Sequence, residues 1–454
     1  MGGASPVRFP DSNSEPTMTK RGWILLVLNF LIPGSAQMLA GNRRLGRFGV
    51  GTTFLLWAIV AIGALLFFLA RSAFITIATN WFALWIIQAA IIFYAVLWII
   101  LTFDTLRLVR LVRVAQGARA VIAGLAVASL VVVGGAAAYG VVIAGSTRSA
   151  VTDVFAGSTI EPAVDGRYNI MLLGGDAGAD RDGLRPDSIS VVSIVAATGE
   201  ATIIGIPRNL ENVPFSAGPM ADRYPSGYGV DGCEVDVCLI NSIYTEVELD
   251  ESLYPDARDN GSNPGIEGMR DAVEGVLGIT IQYYALIDMQ GFAELIDALG
   301  GITIDVPNRL PITDEVDENG QPYSDEVGWI EPGVQTMDGQ LALAYARIRA
   351  GTTDYDRMTR QRQVQEAILA QFDPANVLSK FQAVAAAGSQ VVSTDIPQTM
   401  LGYFVELAGK TRELGDPSSL ELVPPLVDTE YPDFENIHQI VAETLYIPTP
   451  EPTN

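Results

Sequence analysis

The sequence predicts an α/β protein: an extracytoplasmic α/β/α sandwich around a mixed sheet, preceded by an α-helical transmembrane region. Three observations predict it. Charge changes abruptly near residue 149, long apolar runs precede that point, and short apolar strands alternate with helical segments beyond it. The chain has 454 residues, with 28 Lys or Arg against 52 Asp or Glu and a net charge of −24. Only Asp11, Glu15 and Asp104 among the acidic residues precede residue 149. Two parts so different in charge belong in different environments. The length leaves room for two or three domains and a sizeable core.

The first part reads as membrane. The stretches "RFGVGTTFLLWAIVAIGALLFFLA", "WFALWIIQAAIIFYAVLWIILTF" and "AVIAGLAVASLVVVGGAAAYGVVIA" predict spans over about 48–70, 81–103 and 120–144. Each is long enough to cross a hydrocarbon core of about 30 Å as a helix, and none carries a charge beyond its ends. The segment 22–40 is broken at Pro33-Gly34 and contains Asn29, Ser35 and Gln37, which leaves it open between a re-entrant hairpin and a fourth span. Arg43, Arg44 and Arg47 precede the first span and Arg107, Arg110, Arg113 and Arg119 precede the last, whereas the loop between holds only Arg71. Arginine-rich loops stay on the cytoplasmic side, so the acidic part is expected outside. Residues 1–19 read as a disordered cytoplasmic tail and 150–166 as a linker. The outer domain is expected over 167–446, with a tail at 447–454. No cleavable signal peptide is visible, because the apolar segment starts late and runs on into further spans.

Cys233 and Cys238 are the only cysteines, with four residues between them in "DGCEVDVC". Such a spacing can close a small disulfide loop, which an oxidising compartment favours. A zinc site would need more ligands, and the sole histidine is the distant His438.

In the outer domain, "YNIMLLGG" reads as a strand buried on both faces. "SISVVSIVA", the turn "ATGE" and "ATIIGIP" read as a hairpin, and "YYALID" and "GITIDVP" as further strands. Helical spacing marks "VCLINSIYTEV", "GIEGMRDAVEGVL", "GFAELIDALG", "DGQLALAYARI", "MTRQRQVQEAILAQF", "NVLSKFQAVAAAG" and "IPQTMLGYFVELAGK". Strands interspersed with helices imply helices packed on a mixed sheet.

Polar clusters stand at the strand ends, where α/β sheets commonly build sites. Asp176 follows the first strand, Arg185 and Asp187 open the second, and Arg208 follows the hairpin. Residues 342–364 then gather five arginines: Arg347, Arg349, Arg357, Arg360 and Arg362. On a helical wheel Arg357, Gln361, Val364 and Ile368 fall in a stripe about 60° wide. The apolar end of that stripe faces the core, so Arg357 and Gln361 point inward near a helix N-terminus, where anions are favoured. Phosphate suits an inward guanidinium, whose planar fork binds two oxygens at once. Arg362, about 140° away on the wheel, is expected to face solvent. The plainer reading is a set of surface ion pairs with the many carboxylates, each worth about 0–1 kcal/mol. "LLGGDAG" is not a nucleotide phosphate loop, since it lacks the Gly-Lys-Ser/Thr ending.

Taken in order, "NIMLLGGDAG", "RPDSISVVSI", "IPRNL", "YYALIDMQGFAELIDALGGITIDVP" and "MDGQLALAYARIRAGTTDYDRMTRQRQV" resemble the LytR-CpsA-Psr family, over about 168–375. That resemblance implies a membrane-anchored phosphotransferase of Gram-positive cell walls. Such an enzyme takes a polyprenyl-pyrophosphate-linked glycopolymer, of teichoic acid or arabinogalactan-like type, and joins it to a peptidoglycan hydroxyl through a phosphodiester. By motif position Asp176 and Asp187 would bind Mg²⁺, and Arg185, Arg208, Arg347, Arg349, Arg357 and Gln361 would hold the pyrophosphate. Arg208, Arg347, Arg349 and Asp187 would carry the catalysis. The lipid would lie in an apolar tunnel between sheet and helices. The bilayer, the lipid-linked polymer and peptidoglycan are the expected partners, and no nucleic acid is expected. The resemblance leaves the general base open between an aspartate and the metal-bound phosphate. It also has two departures: Asn209 stands where the family usually has Asp, and Gly175 where it often has Ser. A non-catalytic polyprenyl-phosphate sensor or wall-assembly scaffold, and a pyrophosphatase, are the rival readings.

Overall fold

In the computed structural model, which describes residues 7–154, 159–176, 184–312, 328–371 and 392–446, the chain falls into two units, Met1–Arg148 and Ser149–Asn454. The first is helical: α1 (Glu15–Leu31), α2 (Ser35–Ala40), α3 (Arg43–Leu69), α4 (Arg71–Thr79), α5 (Trp81–Val109) and α6 (Gln116–Val154). Three stretches, Arg43–Leu69, Trp81–Arg113 and Gln116–Arg148, are long and apolar enough to cross a membrane. Trp57, Phe68, Ile92, Phe103 and Val131 stand outward on them, as side chains meeting lipid tails would.

The broken segment resolves into α1 and α2, separated by Ile32-Pro33-Gly34. Gly34 has φ +96°, and a Cβ there would lie 2.7 Å from the Gly46 carbonyl oxygen, so only glycine permits this close crossing against α3. The polar residues of the segment are spent inside the unit. Asn29 donates to Thr102 Oγ1 at 3.0 Å and Gln37 to the Leu101 carbonyl at 2.9 Å, both on α5. Two boundaries differ from the sequence reading. Helix α1 starts at Glu15, with Pro16 in its first turn, so the tail expected to be disordered to residue 19 is helical from there. Helix α6 continues to Val154, into the stretch expected to be linker.

The second unit is built on a six-stranded mixed sheet. Its strands are β1 (Arg167–Asp176), β2 (Arg185–Val195), β3 (Ala201–Ile206), β4 (Tyr283–Asp288), β9 (Val392–Thr394) and β10 (Ser418–Glu421), in the order β10-β3-β2-β1-β4-β9. Alternate residues of β1 enter different cores, as a strand buried on both faces requires. Met171 and Leu173 join a large cluster with Ile243 and Val247 of α8 (Ile243–Glu248; α7 is Pro219–Arg223). Helix α9 (Pro264–Leu277) and, at the end of the chain, Ile437 and Val441 complete that layer. Tyr168 and Ile170 face the other way, against Leu407, Tyr403 and Phe404.

The segment between β4 and β9 forms a third core from α10 (Met289–Leu299), β5 (Ile302–Val306), β6 (Leu310–Pro311), β7 (Trp329–Ile330), β8 (Gly333–Met337), α11 (Gly339–Arg347) and α12 (Asp354–Gln371). The expected strand "GITIDVP" is therefore present as β5, but it pairs with β8 in its own two-stranded sheet. Helix α13 (Leu401–Leu414) covers the second face of the main sheet, and α14 (Phe434–Thr444) packs beside α9. The helix expected over 376–388 lies outside the described residues.

Candidate diphosphate site

Strand direction alone gathers the polar clusters. β1 and β3 both run antiparallel to β2, so the ends of β1 and β3 meet the start of β2 at one edge of the sheet. Asp176 lies opposite Arg185 in register, with a bulge at Gly174/Gly175, and Arg208 follows β3 by two residues. The side chain of Asp176 lies outside the described residues, so its place as a metal ligand rests on this backbone position.

Helix α12 brings the second half of the site. Thr353 and Asp356 cap its start reciprocally: Thr353 N and Oγ1 each donate to Asp356 Oδ2 at 2.8 Å, and Asp356 N donates to Thr353 Oγ1 at 3.1 Å. These bonds, the backbone one first, hold the Asp356 carboxyl below its ordinary range.

Around this helix start, Asp187, Arg208, Arg349, Asp354 and Arg357 converge. Arg208 Nη1 lies 2.5 Å from Asp187 Oδ1, and its Nε lies 3.4 Å from Asp354 Oδ2. Arg349 Nη2 stands 3.7 Å from Asp187 Oδ2. Arg357, only 2% exposed, has Nη2 2.8 Å from Asp354 Oδ1. That contact is an ion pair without hydrogen-bond alignment, because neither Nε nor Nη2 of Arg357 has an acceptor among the described residues. Burial lowers the Arg357 guanidinium to about 10, with Asp354 pulling it back up and Arg208 and Arg349 pushing it down. It therefore stays cationic at neutral pH. A buried cation with two unanswered N–H groups is costly unless a ligand completes it.

The other predicted residues take graded positions. Gln361 is one turn along α12 and borders a narrow cleft together with Asp187 and Arg208; its Nε2 donates to the Ala346 carbonyl at 3.4 Å. Arg347 ends α11 with an exposed side chain, and Arg185 is half-buried at the start of β2. Cys233 and Cys238 are disulfide-bonded and lie on the α8–α9 side of the sheet.

One expectation fails. Arg362 does not face solvent: it is 22% exposed, 3.0 Å from Glu421 Oε1 and 3.5 Å from Glu366 Oε1. It lines the same cleft as Gln361, because α12 is covered by β3 on that side as well as by β5 on the other. Glu421 pairs with Gly205 in the β10–β3 ladder, and its carboxyl lies close over that glycine. Burial pushes the Glu421 carboxyl up to about 7 against the pull of Arg362. The narrow cleft under α12 is lined by Ser190, Gln365, Arg362 and Glu421 together with Ile189, Ile206 and Met358.

Two residues were given no separate role in the sequence reading. Arg360, 5% exposed, donates to the carbonyls of Tyr345 and Ile348 and to Thr352 Oγ1, fastening α12 to the end of α11 and the loop that carries Arg349. Its spacing of three from Arg357 was the available signal. Asp354 was visible in the sequence only as one of many possible ion-pair partners.

The sheet edge and the start of α12 thus bring Arg208, Arg349 and Arg357 together, and of these Arg357 is the buried one, with Nε and Nη2 lacking acceptors among the described residues. The sequence model of the LytR_cpsA_psr family matches residues 141–419, and the chain belongs to that family. Among curated relatives, the polyisoprenyl-teichoic acid–peptidoglycan teichoic acid transferase TagV of Bacillus subtilis (strain 168) is 32% identical over 137 residues, 30% of this chain and 34% of its own. The transferase TagU of Halalkalibacterium halodurans, which bears the same description, is 25% identical over 231 residues, 50% of this chain and 61% of its own. The chain thus spans about a third to three fifths of the curated relatives it matches. The crystal structure of B. subtilis TagV superposes with a TM-score of 0.42 at 22% identity, covering 63% of this chain and 100% of that one.

Proposed function

We propose that this chain is a membrane-anchored phosphotransferase that moves a polyprenyl-pyrophosphate-linked glycopolymer onto peptidoglycan through a phosphodiester. Arg357 carries the reading: in a protein of net charge −24, a guanidinium 2% exposed keeps two N–H groups without acceptors among the described residues, beside Arg208 and Arg349. A diphosphate supplies the missing acceptors and offsets the clustered positive charge. The relatives described as polyisoprenyl-teichoic acid–peptidoglycan transferases support the same class of donor and acceptor. The helices suited to crossing a membrane support an anchored enzyme whose C-terminal domain acts outside the cytoplasm.

Phosphoryl transfer demands positioning and charge neutralisation more than covalent help from the protein. Here Arg357 and Arg349 hold diphosphate oxygens, Arg208 bridges the sheet edge to α12, and Arg347, Arg185 and Gln361 extend the same set. The acceptor hydroxyl displaces polyprenyl phosphate from the sugar-bearing phosphorus.

Among the described residues no group of three or more His, Cys, Asp or Glu could share a metal ion. Magnesium does not require one, since one or two carboxylates with substrate phosphates and water commonly hold it. Asp187 presents oxygen donors at the rim, and Asp176 ends β1 at the same sheet edge, so the donor set fits Mg²⁺ in kind. Asp187 and Asp176 would hold the ion, which would neutralise charge on the diphosphate.

The test is turnover of a short-chain polyprenyl diphosphate glycolipid by the full chain with a soluble peptidoglycan fragment and Mg²⁺. A phosphodiester conjugate is expected. Release of free polyprenyl phosphate without conjugate would make it a pyrophosphatase, and binding without turnover would make it a sensor or scaffold.

A further inference from the structure

We infer that Asp354 is the general base of this transfer, the group that takes the proton of the acceptor hydroxyl. The inference rests on the transferase reading and assigns a catalytic role that the resemblance leaves open.

Three described carboxylates border the arginine cluster, and two are committed. Asp356 accepts two hydrogen bonds from Thr353 at 2.8 Å and caps α12. Asp187 has Arg208 at 2.5 Å on one oxygen and Arg349 at 3.7 Å on the other, and it is the residue that would hold Mg²⁺. Asp354 is held loosely. Its Oδ1 is 2.8 Å from Arg357 Nη2 but off the N–H direction, and its Oδ2 meets Arg208 Nε only at 3.4 Å. It is also open, 30% exposed where Arg357 is 2% exposed. Asp354 therefore stands between the buried guanidinium that would grip the phosphate and the solvent side from which an acceptor must arrive. A diphosphate that aligns with the N–H groups of Arg357 and Arg208 would draw both away from Asp354. The carboxylate would then be free of its partners at the reacting phosphorus.

The step balances. The acceptor O–H proton passes to an Asp354 carboxylate oxygen as the new O–P bond forms. The bridging P–O bond breaks, and its electron pair leaves with polyprenyl monophosphate. A loose phosphoryl-transfer transition state asks mainly for a placed acceptor, as the aspartate of protein kinases illustrates.

The experiment uses the full chain in detergent micelles, the same glycolipid, and two acceptors, an ordinary sugar alcohol and a fluorinated alcohol that ionises more readily. Asp354→Asn should lower kcat about 100-fold or more with the sugar alcohol. Its affinity for the diphosphate lipid should be unchanged or tighter, because a competing negative charge is gone. The loss should be clearly smaller with the fluorinated alcohol, since a more acidic hydroxyl depends less on a base. Asp354→Glu, which keeps the carboxylate, should recover part of the rate; it also serves if the Asn variant fails to fold. Three results would overturn the assignment while wild type still makes conjugate: kcat of Asp354→Asn within about threefold of wild type, parallel loss of kcat and diphosphate affinity, or equal losses with both alcohols. Absence of conjugate from wild type itself would instead remove the transferase reading, and this inference with it.

Discussion

Arg357→Lys is the substitution that most directly tests the site. Arg357 is 2% exposed, so its charge is already desolvated, and any replacement must satisfy the same pocket. Its Nε–H and Nη2–H lack acceptors among the described residues, and one planar fork can present both to a single phosphate. Lysine retains the charge but offers a compact ammonium that cannot reproduce the two-pronged contact. Losing one charged hydrogen bond to the transition state costs about 2–4 kcal/mol, or roughly 30- to 1,000-fold in kcat/KM. The lysine variant should therefore fall in that range, with diphosphate affinity measured calorimetrically falling too. Arg258→Ala is the matched control: Arg258 pairs with Glu251 at 2.6 Å but is 63% exposed, where ion pairs are worth about 0–1 kcal/mol. If Arg357→Lys stays within about threefold of wild type in both affinity and kcat/KM, the two-pronged phosphate contact is wrong. Equal mild effects at Arg357 and Arg258 would reduce the cluster to surface charge.

Arg208→Lys and Arg349→Lys should also fail to restore transfer, because both guanidiniums reach Asp187 while facing the same ligand position. A cysteine introduced at Ile160 should react with a membrane-impermeant thiol reagent in intact cells once Cys233 and Cys238 are replaced by Ser, and one at Arg44 should not; the reverse pattern would invert the orientation. The Cys233→Ser/Cys238→Ser variant should keep transfer activity and lose less than the roughly 3 kcal/mol of a 15-residue loop, read by denaturant unfolding. Burial pushes the Asp271 carboxyl up to about 7, so the folded chain keeps a proton there that the unfolded chain has released above about pH 4. Stability should consequently fall as pH rises from about 4 through 7 and level off above. Asp271→Asn, which keeps an acceptor for the Tyr254 hydroxyl, should flatten that part of the melting profile.

Most of the sheet was legible because its central strands are long and buried on both faces. "YNIMLLGG", "SISVVSIVA" and "ATIIGIP" have no plausible helical period, and they became β1, β2 and β3. The edge strands were not legible. Ser418–Glu421 and Val392–Thr394 are too short to show a period, and what makes them strands is the ladder that β3 and β4 offer them. β5 shows the complementary limit: its Ile-Thr-Ile-Asp-Val alternation announces a strand but cannot say that its partner is β8 rather than the main sheet. Asn29 and Gln37 marked the broken apolar segment as unusual, but only the packing of α1 and α2 against α5 explains how polar side chains are accommodated there.

The arginine segment was legible as an excess of charge and illegible as a division of labour. Acceptors sort those arginines, and acceptors come from other parts of the chain. Arg360 meets the carbonyls that close α11 and becomes a fastener. Arg362 meets Glu421, which β10 brings beside it by joining the sheet next to β3; a wheel drawn against one neighbour therefore mistook a covered face for solvent. Arg357 meets Asp354 out of line and, among the described residues, keeps two N–H groups unanswered. Had the segment evolved only to balance carboxylates, its most buried guanidinium should be its best-bonded one, since desolvation makes an unmet donor most costly there. Among the described residues the reverse holds, which supports the proposed reading of a buried cation that a bound anion completes.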